Sequence, residues 1–135
     1  MKRIKEEKIM QVISDLCIQA NTILRSDVLR ALRNSLGKER NKRSKKFLSA
    51  IIRNAYIARK ERLAICQDTG LVCVFVEIGQ DIKIIGNLKR AINKGIELGY
   101  RRGFLRNSIV RDPLLRDSPE YQPAVIHIDI VKGNK

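Results

Sequence analysis

Leu71-Val72-Cys73-Val74-Phe75-Val76-Glu77-Ile78-Gly79 is where the periodicity of this chain changes. A run dominated by β-branched and aromatic residues and closed by glycine reads as a buried strand. Cys73, inside that run, is expected to be packed and is given no chemical role. The residues upstream keep the helical period, and those downstream alternate between helix and strand.

Working back from Leu71, Phe47, Leu48, Ile51, Ile52, Ala55 and Tyr56 recur at helical spacing. They predict a helix from about 42–44 to Arg62 with a wide apolar face, Phe47 and Tyr56 turned to the core. Before it, Val28, Leu29, Leu32 and Leu36 form a second stripe. That helix is expected to start after Ser26 as N-cap, with Asp27 at the positive end of the dipole and Gly37 as its stop. The first stripe is Ile4, Ile9, Val12, Ile13, Leu16 and Ala20, with Cys17 on its edge as a small core residue.

Working forward, Leu88, Ile92, Ile96 and Tyr100 predict a fourth helix over Asn87–Arg102, weakened by Gly95 and Gly99. The segment 104–122 is polar and carries the turn signals Asp112-Pro113 and Ser118-Pro119. Its length marks it as a functional loop. Val125, His127, Asp129 and Val131 then alternate with Ala124, Ile126, Ile128 and Ile130, which predicts a half-buried strand. The fold class is therefore α/β: a helical amino-terminal half (1–63), then a small sheet with an intervening helix (64–135). Two strands leave unpaired edges, so the domain reads as incomplete.

The 135 residues have the length of one domain and carry a net charge of +14, most of it in residues 1–63. The densest basic run is Lys38-Glu39-Arg40-Asn41-Lys42-Arg43-Ser44-Lys45-Lys46. Such a run binds phosphates in nucleic-acid modules, and more often it is a solvated helix start or inter-helix loop. The alternative it raises is a basic helical module that docks nucleic acid or an acidic protein. Few aromatics and no nucleic-acid motif stand against that alternative. No apolar run reaches the roughly 18 residues of a membrane span. The charged start Met1-Lys2-Arg3 shows no signal segment, and three unpatterned cysteines make no disulfide framework. These features predict a cytoplasmic location.

Between the third helix and the strand lies Cys66-Gln67-Asp68-Thr69-Gly70, a loop where polar side chains project from a rigid scaffold. Read from the residues alone, Cys66 is a structural thiol, a nucleophile or a metal ligand. No CxxC or histidine pair supports zinc. The single histidine, His127, sits in a strand pattern with no evident orienting partner. Arg106 and Arg111 come after the fourth helix, and a guanidinium there is either a surface charge or a bidentate clamp for a carboxylate.

The block Ala64-Ile65-Cys66-Gln67-Asp68-Thr69-Gly70 with Val74-Phe75-Val76-Glu77-Ile78-Gly79 resembles the amino-terminal region of class I, iron–sulfur-dependent fumarate hydratases. L-tartrate dehydratase alpha subunits share the pattern. Further blocks fall in the same order: Ala20-Asn21-Thr22 with Asp27-Val28, Leu105-Arg106-Asn107-Ser108-Ile109-Val110 with Asp112-Pro113-Leu114, and Pro123-Ala124-Val125-Ile126-His127. The resemblance implies a lyase, a hydro-lyase interconverting malate and fumarate or dehydrating tartrate or a similar 2-hydroxy diacid. It also implies a 4Fe–4S cluster held by three cysteines, with Cys66 as the first. Gln67 and Asp68 would line the substrate pocket, Asp68 assisting proton transfer as the catalytic residue, and Arg106 would clamp a substrate carboxylate. The family continues into a glycine-rich segment with further cysteines, so the remainder of an alpha subunit and a beta subunit are the implied partners of an oligomer. Three departures stand out: Ala64 replaces a common proline, Asp117–Gln122 replaces an asparagine- and threonine-rich segment, and the family's further cysteines are not among these 135 residues, which makes a fragment, a split gene product or a degenerate relative the expectation and an inactive fragment a further alternative.

Overall fold

The structure is a computed structural model that describes residues 2–108, 114 and 124–134. Its elements run β1 (Lys2–Lys5), α1 (Glu6–Thr22), α2 (Ser26–Lys38), α3 (Lys42–Glu61), β2 (Cys73–Gly79), β3 (Ile82–Ile85), α4 (Leu88–Arg102) and β4 (Val125–Val131). The architecture is mixed α/β, with a helical first half and small parallel sheets after it. β1 pairs in parallel with β3, and β2 pairs in parallel with β4 from Cys73 opposite Val125 to Gly79 opposite Val131.

The core is the seam between α1 and α4. Ile13 and Cys17 of α1 meet Ile92, Ile96 and Tyr100 of α4, with Leu105 and Ala124 closing the ends. Val72, Val74, Val76 and Ile126 lie over this seam, so the helices form a floor beneath one face of the β2–β4 sheet. The glycines expected to weaken α4 are what brings it close to α1. A β-carbon on Gly95 would stand 2.7 Å from the Met10 carbonyl oxygen, and one on Gly99 would stand 2.7 Å from that of Ser14. The backbones are too near for any side chain between them, so the cost in helix propensity is offset by a tighter seam.

One carboxylate fastens the near end of this seam. Glu6 accepts two hydrogen bonds of 3.0 Å from the Arg90 guanidinium and one of 3.1 Å from the Asn87 N–H, joining the starts of α1 and α4. The Arg90 contact, and then the Asn87 N–H, hold the Glu6 carboxyl below its ordinary value of 4.5. A depressed folded-state pKa means stability that is complete above the ordinary value and is lost as pH falls through the lower, folded one. The thermal midpoint should thus drop more steeply on acidification in the native chain than in Glu6→Gln. Matching acid limbs in the two proteins would mean that the clip contributes nothing to stability.

Several expectations need correction. Ile4 belongs to strand β1, not to the first helical stripe, and β3 is a further strand beyond the two expected. Arg25, not Ser26, holds the cap position of α2; Ser26 and Asp27 are helical, and Asp27 is gripped by Arg25 at 2.6 Å. Gly37 lies inside α2, which ends at Lys38. Cys73 is exposed, because Val74, Val76 and Ile78 take the helix-facing positions and the alternate residues point away. On that outer face Phe75, 77% exposed, stacks on His127 with ring centroids 4.8 Å apart. Phe47 and Tyr56 are also exposed, since α3 buries Ile52, Ala55 and Ala58 instead. Tyr56 carries Arg33 of α2 over its ring at 5.5 Å. The basic run 38–46 forms the end of α2, the connection and the first turn of α3, which Asn41 caps by accepting from the Arg43 and Ser44 N–H groups.

Candidate functional site

The loop 66–70 hangs between two fixed points. At its start, Arg62 ends α3 in the left-handed region at φ 54°, and the Leu63 N–H returns to the Ala58 carbonyl at 3.0 Å. Ile65 is then held on both sides. Its N–H donates to the Asn21 carbonyl at 2.8 Å, and its carbonyl accepts from the Asn54 side chain at 2.9 Å. Asn21 is itself tied to the Cys17 carbonyl at 2.9 Å. The residue preceding Cys66 is thus pinned to the end of α1 and the second half of α3, a role for Asn54 that no local sequence pattern signals.

Thr69 supplies the second fixed point. Its hydroxyl donates to the Arg106 carbonyl at 2.5 Å, and its N–H donates to the Ser108 hydroxyl at 3.2 Å. The phenol of Tyr100, buried on α4, donates to the Thr69 carbonyl at 3.4 Å. Burial comes first among the influences on that phenol and raises its pKa, which keeps it protonated as a donor. One threonine therefore clasps the loop to the segment 105–108 and to α4. Gly70, at φ +64°, turns the chain toward β2, and its N–H donates to Asp68 Oδ1 at 3.0 Å. Glycine takes that conformation without the steric cost a β-carbon adds.

Between the fixed points Cys66, Gln67 and Asp68 are consecutive and exposed. Asp68 Oδ2 makes no hydrogen bond among the described residues. Arg106 is also exposed and has no ion-pair partner among them. Asn107 beside it has a buried Oδ1 without a hydrogen-bond partner among the described residues. The structure thus ties Thr69, next in sequence to Cys66, Gln67 and Asp68, to the backbone of the Arg106 segment, across 37 residues of sequence. Arg111, Asp112-Pro113 and the segment 115–123 lie outside the described residues.

The donor set bears directly on a cluster. Cys66 offers an exposed thiol. Cys17 is packed in the core, and burial pushes its thiol up to about 11, which suits neither a ligand nor a nucleophile. Cys73 sits on the outer face of the sheet, and His127 is engaged with Phe75. No three His, Cys, Asp or Glu side chains converge on a metal position among the described residues. The described residues offer one exposed thiol and do not by themselves hold a cluster. Among the described residues no helix is long and apolar enough to cross a membrane.

A family model described as fumarate hydratase (Fumerase) matches residues 10–135. A protein of Methanocaldococcus jannaschii named putative L(+)-tartrate dehydratase subunit alpha is 38% identical over 96 residues, covering 67% of this chain and 34% of its own length. The chain therefore spans about a third of the curated relative it matches. The matched region contains the clasped loop, the Arg106 segment and the strands between them. With a match over nearly its whole length, the chain belongs to the fumarate hydratase (Fumerase) family.

Proposed function

We propose that this chain is the amino-terminal, substrate-facing part of an iron–sulfur-dependent hydro-lyase acting on a 2-hydroxy diacid. The observation that carries the reading is the Thr69 clasp, which ties the loop that carries Cys66, Gln67 and Asp68 to the Arg106 backbone in a chain of the fumarate hydratase family. Malate–fumarate interconversion accords with the family description, and tartrate dehydration with the name of the relative.

Each residue has a role suited to its chemistry. Cys66 is one of three thiolate ligands of a 4Fe–4S cluster, the other two coming from the part of the enzyme this chain does not span. Such a cluster, when bound, supplies a Lewis-acidic iron that makes a hydroxyl a better leaving group. Arg106 grips a substrate carboxylate through two parallel hydrogen bonds. Gln67 hydrogen-bonds a carboxylate or hydroxyl oxygen and fixes its orientation. Asp68, with Oδ1 held by the Gly70 N–H, presents Oδ2 to assist proton movement as water leaves or adds. Thr69 touches no substrate and acts by position. The partners of the chain are the remainder of an alpha subunit and a beta subunit.

The test is anaerobic reconstitution with iron, sulfide and the missing alpha and beta portions, followed by assay with malate, fumarate and tartrate. Cluster absorbance and reversible hydration or dehydration should appear together, and their joint absence would sink the reading. Thr69→Val, which keeps shape and removes the hydroxyl, should lower kcat about tenfold to a hundredfold, the scale of a misplaced catalytic group. Thr69→Ser should restore most of that loss, an outcome that a purely steric role would not give.

A further inference from the structure

We propose that the groove between the two sheets is a slot for an added β-strand, supplied by the part of the alpha subunit this chain does not span. The groove has a volume of about 490 Å³ and runs along five consecutive residues of β2, Val74–Ile78. No β4 residue lines it, so it tracks the edge of β2 that β4 does not pair with. Ile4 of β1 with Ile82 and Ile84 of β3 forms the opposite wall, and α1 forms the floor. A second hollow of about 400 Å³ continues along the same edge through Leu71–Phe75 to Thr69. Val12 and Leu16 on the floor are 43% and 51% exposed.

Three features of the slot identify its occupant. First, an unpaired strand edge presents a row of N–H and C=O groups whose natural partner is another strand. A strand in the slot would join two marginal two-stranded ribbons into one sheet over α1 and α4. Second, the lining is mostly apolar, with Lys8 and Glu77 as its charged members, so the occupant must alternate with apolar side chains facing the floor. Third, a second copy of a chain carrying +14 is repelled by like charge, whereas the M. jannaschii relative carries about two thirds of its length beyond the match. The inference rests on family membership and not on the chemistry of Cys66. Failure of the hydro-lyase assay would leave it standing.

The experiment is amide hydrogen exchange on this chain, alone and co-expressed with the part of the M. jannaschii protein outside the match. The β2 amides not bonded to β4 should exchange rapidly in the chain alone and slow by about a hundredfold in the complex. Leu16→Lys should abolish both complex and protection without changing the melting of the chain by itself, since the position is already half exposed. Phe47→Lys, on α3 and outside the slot, should leave both intact. Three results would overturn the proposal: no complex, a complex whose edge amides still exchange fast, or protection that appears in the chain alone as its concentration rises.

Discussion

Gly99→Val is expected to cost this fold more than about 3 kcal/mol, a large fraction of the 5–15 kcal/mol that holds a domain together. The β-carbon alone would stand 2.7 Å from the Ser14 carbonyl oxygen and 2.9 Å from the Cys17 β-carbon. Neither is the far end of a flexible side chain. Relief requires α1 and α4 to separate, which loosens Ile13, Ile92 and Ile96 together. In the milder Gly99→Ala the clash competes with a gain of about 1 kcal/mol in helix propensity, and the clash should still win. Gly37→Ala is the matching control. Gly37 is helical with nothing within 4 Å of an added β-carbon, so alanine there should stabilise by up to about 1 kcal/mol. Thermal unfolding monitored by circular dichroism reads all three. A Gly99→Ala protein as stable as the native chain would show that the seam yields.

Cys66→Ala should have the opposite profile: loss of function with little change in stability. The thiol is exposed, so its removal should stay within about 0.5 kcal/mol in the chain alone. In the reconstituted enzyme the same change should remove the cluster absorbance and lower kcat by at least about 1,000-fold, since the Lewis acid is lost with it. Cys17→Ala gives the contrast. It opens a small hole in the α1–α4 seam and should cost about 1–2 kcal/mol, leaving cluster and turnover in place. If Cys66→Ala retained cluster and activity, the assignment of the loop would fall.

Helices α1, α3 and α4 are legible in the sequence because their apolar residues recur at the helical period, and that signal survives in isolation. β1 and β3 are not. Each is four residues long, and Ile4 happens to fit the stripe of the helix next to it. Their pairing, Lys2 with Ile82, spans a distance that periodicity does not report. The direction of Cys73 is faintly marked for another reason: in a run otherwise apolar, Glu77 alone gives the polar phase of the outer face. Gly95 and Gly99 read as defects in α4 because their value depends on a second helix. In the site, the polar character of 66–70 is plain. The clasp is not, because no local pattern couples Thr69 to residues 106 and 108. Asn54 looks like an ordinary polar helix position and Tyr100 like a member of a helical stripe, and their second function appears only once the loop lies against them.

The exposed face of α2 has a consequence for how the molecule opens. α2 buries no residue and packs on α3, whose buried positions, Ile52, Ala55 and Ala58, are confined to its second half. Local opening free energies should therefore fall into two tiers. Detaching α2 with the first turns of α3 sacrifices little apolar contact and leaves Asn54 and Ala58 in place beneath the loop. Opening the second half of α3 would release Ile65, and with it the strut that presents Cys66. The same helix is thus a loose arm at one end and, at the other, the part of the framework on which the thiol depends.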